Sequence, residues 1–200
     1  MEVYMNLSKL IDSFVNNERN EDVLFYFQEI FNQEGFGQNR FHKYDVLNHT
    51  RKLVKQYRKA DFISEKVRTY LSEIIDGISK DLLLQVAMCF HDSGKKIMKD
   101  STGSMKGHAE YTVKNQLEEI SKRFGFTENQ KMYVSNIILY HDFIFSDSEE
   151  INKFLKDNHI EAEGFIVSLV DILSTQGEES FGEEDMKRIS FGKEKLLNVL

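Results

Sequence analysis

Apolar residues recur at intervals of three and four along nearly the whole chain, the period of helices that bury one face. Residues 3–17 (Val3, Leu7, Leu10, Ile11, Phe14) and 22–31 (Val23, Leu24, Phe27, Ile30, Phe31) predict two amphipathic helices, ended near Gly35 and Gly37. From 44 to 59, Val46, Thr50, Leu53 and Tyr57 trace a third face, and His49 falls on it, three residues after Val46 and four before Leu53. The run 82–90, Leu-Leu-Leu-Gln-Val-Ala-Met-Cys-Phe, is apolar nearly all round and predicts a helix buried on every side, ending in His91-Asp92. Residues 93–107, with Gly94, Gly103 and Gly107 and four lysines against one aspartate, predict a basic loop. Further helices are expected at about 108–123, 128–142, 148–157, 163–175 and 183–198. The fold class expected is all-α: a single-domain helical bundle over 41–176, an N-terminal helical extension (1–40) packed on it, and a C-terminal helix (177–200).

Composition narrows the chemistry. Two hundred residues suit one ordinary domain, and the absence of proline leaves long helices unbroken. No apolar run approaches the ~18 residues of a membrane helix, and the first residues lack a signal-peptide pattern, so a cytoplasmic protein is expected with no membrane partner. A net charge of −7 argues against nucleic acid as a partner. The single cysteine, Cys89, excludes an internal disulfide and any thiolate-only metal site, so a metal here would rely on imidazole and carboxylate.

Those side chains occur where they are costly. His49, Asp92, His141 and Asp171 lie on or at the ends of apolar helical faces, and His91 and His108 join them at a helix end and a helix start. For any one of them a hydrogen-bonded core residue is the simpler explanation, because burying one unpaired carboxylate costs several kcal/mol. His-Asp also occurs twice, at 91 and 141, so the dipeptide by itself carries little weight. The ordered set is another matter: different helices supply only imidazole and carboxylate, the ligands a borderline divalent metal takes inside a bundle. Asp92 has two oxygens and can bridge two ions about 3.5 to 4 Å apart.

The pattern His49, His91-Asp92, His108, His141, Asp171 resembles the HD-domain superfamily of metal-dependent phosphohydrolases. Leu47-Asn48-His49-Thr50, Phe90-His91-Asp92-Ser93-Gly94-Lys95, Gly107-His108-Ala109-Glu110, Tyr140-His141 and Val170-Asp171 carry the likeness, which covers about residues 44–175. They look most like the HD domain of bacterial CCA-adding tRNA nucleotidyltransferases and stand-alone HDIG proteins. Ser93 departs from the apolar residue usual there. No nucleotidyltransferase head, no Gly-Tyr-Pro signature and no Glu-Asp pair after His91-Asp92 are present, which demotes nucleotide polymerisation, cyclic-di-GMP and alarmone hydrolysis.

The resemblance implies two divalent transition-metal ions (Fe, Mn, Ni, Co or Zn). One would take His49, His91, Asp92 and Asp171, and the other Asp92, His108 and His141. It implies hydrolysis of a small phosphate ester, a nucleotide or related phosphodiester, by a metal-bridging hydroxide, with Asp92 and Lys95 as catalytic groups. Lys95 would hold a phosphate oxygen, and Lys96, Lys99 and Lys106 could draw in an anion. A di-iron oxygenase and a non-catalytic sensing domain, with a homodimer built on the terminal helices, are the alternatives. His42 and His159 read as surface residues, Asp142 as solvent-facing, Cys89 as inert, and Glu110 as a helix-start acid or an orienting group.

Overall fold

The computed structural model describes residues 2–38, 42–142, 149–175 and 181–199, with side chains from Leu7 onward. The inward face assigned to Val3, the helix start at 148, and the domain boundaries at 40–41 and 176–177 fall outside them. The chain is an all-α bundle. Its order is α1 (Glu2–Val15), α2 (Glu21–Tyr26), α3 (Gln28–Phe31), α4 (Val46–Lys59), α5 (Glu65–Leu71), β1 (Ile74–Ile75), β2 (Ile78–Ser79), α6 (Lys80–Phe90), α7 (Lys95–Thr102), α8 (His108–Asn115), α9 (Leu117–Phe124), α10 (Glu128–Leu139), α11 (Glu149–Asp157), α12 (Glu161–Thr175) and α13 (Glu183–Asn198).

Three local departures from the sequence pattern have physical causes. The 93–107 segment is not all loop: α7 forms between Gly94 and Gly103, the latter closing it in the left-handed conformation at φ 77°. The helix expected over 108–123 breaks at Gln116 (φ −118°) into α8 and α9. In the stretch 60–81, Ser64 caps α5, and a two-residue antiparallel hairpin turns through Asp76 and Gly77. The first N-terminal helix pattern ends at Val15, and the second is divided at Phe27.

Polar caps mark the helix starts that matter for the site. Asp45 accepts from Asn48 N at 2.7 Å and begins α4, Ser79 begins α6, and Thr127 with Gln130 forms a capping box on α10. Helices α4, α6, α10 and α12 close a ring, each packed on the next, with α4 against α12 completing it. α6 is buried from Leu83 to Phe90, as its all-round apolar character requires. The N-terminal helices belong to the same core: Phe14 stacks on Phe27 at 4.3 Å, and Phe27 stacks on Phe90 at 5.8 Å, one residue before His91. Arg51 of α4 ties α1 down by donating to Phe14 O at 3.0 Å.

Candidate metal centre

The ring of helices delivers its ionisable groups to one end. His49 comes from α4, His91 and Asp92 from the end of α6, His108 from the first residue of α8, His141 from the turn after α10, and Asp171 from α12. All six side chains are almost wholly buried. Gly107, at φ +83°, turns the chain so that His108 begins its helix facing inward, a backbone conformation that favours glycine.

Each imidazole is oriented by its outer nitrogen. Nδ1 of His91, His108 and His141 lies 2.8, 3.0 and 2.7 Å from the carbonyls of Met88, Met105 and Ile138. A carbonyl only accepts, so each Nδ1 carries the proton that it donates. His49 Nδ1 faces Ser174 Oγ at 3.2 Å, and that hydroxyl already donates to Asp171 O, leaving it to accept from the imidazole. A neutral ring held this way presents the lone pair of Nε2 to the interior, which is how metal-binding histidines are oriented.

The inward atoms sort into two groups that share Asp92. His49 Nε2 is 2.8 Å from Asp171 Oδ1 and 3.7 Å from Asp92 Oδ2, while His91 Nε2 is 3.2 Å from Asp92 Oδ2 and 3.7 Å from Asp171 Oδ1. On the other side, Asp92 Oδ1 is 3.1 Å from His108 Nε2 and 3.8 Å from His141 Nε2, and the two Nε2 atoms are 3.4 Å apart. Ligands at about 2.1 Å from one ion stand about 3 to 3.4 Å apart, the range these separations scatter around. His49 Nε2, His91 Nε2, Asp92 Oδ1 and Asp171 Oδ1 are all buried without a well-formed hydrogen bond. Four orphaned polar atoms within one buried cluster would be expensive in an apolar interior unless something binds them. The donors fit a divalent metal, and these buried His/Asp groups could hold one or two such ions.

The electrostatics are those of a strongly coupled cluster. In the absence of a metal, burial pulls His91 down, but the Asp92 and Asp171 carboxylates outweigh it and raise the imidazole to about 10, so a bound ion would have to displace the Nε2 proton to take its lone pair. Burial likewise opposes ionisation of Asp92, yet His91 and Lys95 beside it hold its carboxyl well below the usual range. Asp171 is held down in the same sense, burial being outweighed by the His49 and His91 imidazoles beside it. Buried His141 is pushed towards the neutral form that a metal needs.

Lys95 opens α7 and is itself buried, with Nζ 2.6 Å from Asp92 Oδ2 and 2.6 Å from Gln38 Oε1. The other lysines sit outside: Lys99 donates to Gly103 O at 2.8 Å, and Lys106 is exposed. Ser93 is accommodated by polar company. Its Oγ donates to Gln116 Oε1 at 2.5 Å and lies 3.1 Å from Thr112 Oγ1, so the hydroxyl is satisfied below the cluster.

One sequence expectation needs correction. His42 is not a surface residue: its ring lies 5.2 Å from that of His49, and burial, with Lys95 and His49 nearby, pushes its pKa down to about 4. Its polar sequence neighbours concealed this, since only the return of the chain towards α4 brings it in. Asp142 is exposed as expected, but its Oδ1 stands 3.3 Å from His141 Nε2. Both residues lie in a turn beyond α10, where the rule that helix neighbours diverge does not hold. His159 and Glu110 are exposed, and Cys89 is a buried thiol raised to about 12, in keeping with inertness. Gln33 and Gln38, in the segment before α4, were not singled out by any sequence signal. No protein-family model matches the chain, and no curated protein matches it.

Proposed function

We propose that this chain is an HD-domain metal-dependent phosphohydrolase acting on a small phosphate ester, a nucleotide or related phosphodiester in the first instance. The observation that carries the reading is the division of Asp92: Oδ2 faces His49 and His91, and Oδ1 faces His108 and His141. Divalent ions bound there would supply Lewis acidity and make water nucleophilic near neutral pH. The residues do the rest. Backbone carbonyls hold the imidazoles of His91, His108 and His141 in one tautomer, so no reorganisation is needed as charge develops. Asp92 keeps the two groups in register. Lys95 neutralises Asp92 and has one further N–H to offer a phosphoryl oxygen. The apolar ring of α4, α6, α10 and α12 excludes bulk water from below.

The test is metal analysis of freshly purified protein, joined to phosphate release from generic mono- and diesters and to oxygen uptake by the reduced iron form. The expected result is up to two ions per chain and phosphate release that disappears with chelator. Oxygen uptake without ester hydrolysis, or protein that binds no divalent ion, would overturn the proposal.

A further inference from the structure

The segment 33–38, which precedes the part of the chain resembling HD domains, is tacked to the site at both ends. Gln33, buried, donates through Nε2 to Ser93 O at 2.8 Å and accepts at Oε1 from Lys96 N at 3.0 Å, clamping the turn that carries Asp92 and Lys95. Gly35 N donates to the Asp45 cap of α4 at 3.0 Å, and Gly37 forms a bridge with Asp45. Gln38 is thereby held beside Lys95, whose ammonium donates to Gln38 Oε1 at 2.6 Å.

That contact decides which way the amide points. An ammonium has no lone pair, so the amide presents its oxygen, not its NH2, to Lys95. Gln38 Nε2 is buried, and it has no acceptor among the described residues. A buried amide donor without a partner is destabilising, and here it sits next to an ammonium that has used two of its three donors. Two unspent donors side by side, one neutral and one cationic, match the non-bridging oxygens of a tetrahedral oxyanion better than a neutral ligand.

We propose that Gln38 and Lys95 form an oxyanion subsite beside the His/Asp cluster, with Gln38 Nε2 and the remaining Lys95 N–H each donating to a non-bridging phosphate oxygen. This deepens the phosphohydrolase reading and rests on it. Gln38 is then a substrate-binding residue supplied by the N-terminal extension, which makes the extension part of the site.

The experiment measures binding of inorganic phosphate to the metal-loaded full chain by calorimetry, with metal content determined on the same samples. Gln38→Ala is expected to weaken phosphate binding about tenfold, the loss typical of one hydrogen bond to a charged group, at unchanged metal content. Gln38→Glu, the same size but with an acceptor and a negative charge in place of the donor, is expected to weaken it further and carries the test if the alanine variant misfolds. Binding within about twofold of wild type in these variants overturns the subsite and leaves the phosphohydrolase reading standing. Loss of metal in Gln38→Ala also overturns it, since the amide would then be supporting the Asp92–Lys95 pair. Wild-type protein that binds metal but no phosphate sinks both proposals together.

Discussion

A Cβ placed on Gly94 would stand 2.4 Å from the carbonyl oxygen of His108. The backbone angles of Gly94 are ordinary (φ −84°, ψ −12°), so space alone excludes a side chain there. The turn carrying Asp92 and the start of the helix carrying His108 touch backbone to backbone. Gly94→Ala should therefore push α8 outward and cost about 1 to 3 kcal/mol, the usual range for overpacking. Denaturant midpoints would show the loss. Metal titration should show weakened binding at the His108/His141 side before the His49/His91 side, and an unchanged titration would count against the arrangement.

Asp92 contributes an oxygen to both groups, whereas Asp171 reaches only one. Asp92→Ala should abolish metal binding and hydrolysis together. Asp171→Ala should leave the Asp92–His108–His141 group able to hold an ion, lowering stoichiometry rather than erasing it. Metal content by elemental analysis distinguishes the two, and an Asp92→Ala protein with full metal and full turnover would exclude the bridging role.

Lys95→Ala separates holding the metal from using it. The lysine is not a metal ligand, so metal content should be retained, while turnover should fall roughly 100-fold, the scale on which a single preorganised transition-state donor acts. Steady-state kinetics at saturating metal provides the measurement, and undiminished turnover would remove Lys95 from the mechanism.

Buried Ser93 and Thr112 form a polar set with half-buried Gln116 under the cluster. Ser93→Ala leaves the side-chain oxygen of Gln116 without its hydroxyl donor, while Thr112 still donates to His108 O, and should cost about 1 to 3 kcal/mol. Pairing it with Thr112→Val and Gln116→Leu should recover part of that loss. Strict additivity of the three substitutions in urea unfolding would show that the residues do not act as a set.

His42 gives the metal-free protein a pH signature. Burial and the neighbouring Lys95 and His49 lower its pKa to about 4 in the fold, whereas the unfolded chain titrates near 6.5. The unfolded state therefore takes up the proton first. The contribution of His42 to stability is complete above about pH 6.5 and declines as pH falls towards 4, by about 3 kcal/mol at most. Urea midpoints of chelator-treated wild type and His42→Gln between pH 7 and pH 4.5 test this. The variant should lose less on acidification, and parallel curves would contradict it.

Much of this was legible in the chain. The inward placement of His49 follows from Val46 and Leu53 on the same face, and the burial of Asp171 from the apolar run around it, because a 3.6-residue period converts spacing into direction. The α7 helix was hidden because Gly94 and Gly103 read as loop residues when they are a helix's two ends. The approach of Asp142 to His141 was hidden because both lie in a turn, where helical spacing gives no direction. Gln38 and His42 gave no periodic signal, since neither lies in a helix or strand.

The sequence by itself determined which helical residues turn inward and that each helix of the ring brings imidazole or carboxylate with it, since local periodicity and solvation cost depend only on near neighbours. Only the tertiary structure decided that these groups meet at one end of the ring, that the two oxygens of Asp92 face different histidine pairs, and that Gln38 stands beside Lys95. Apart from His91 beside Asp92, those relations join residues 16 to 122 positions apart. They depend on how helices close on one another, and no local pattern encodes such a distance.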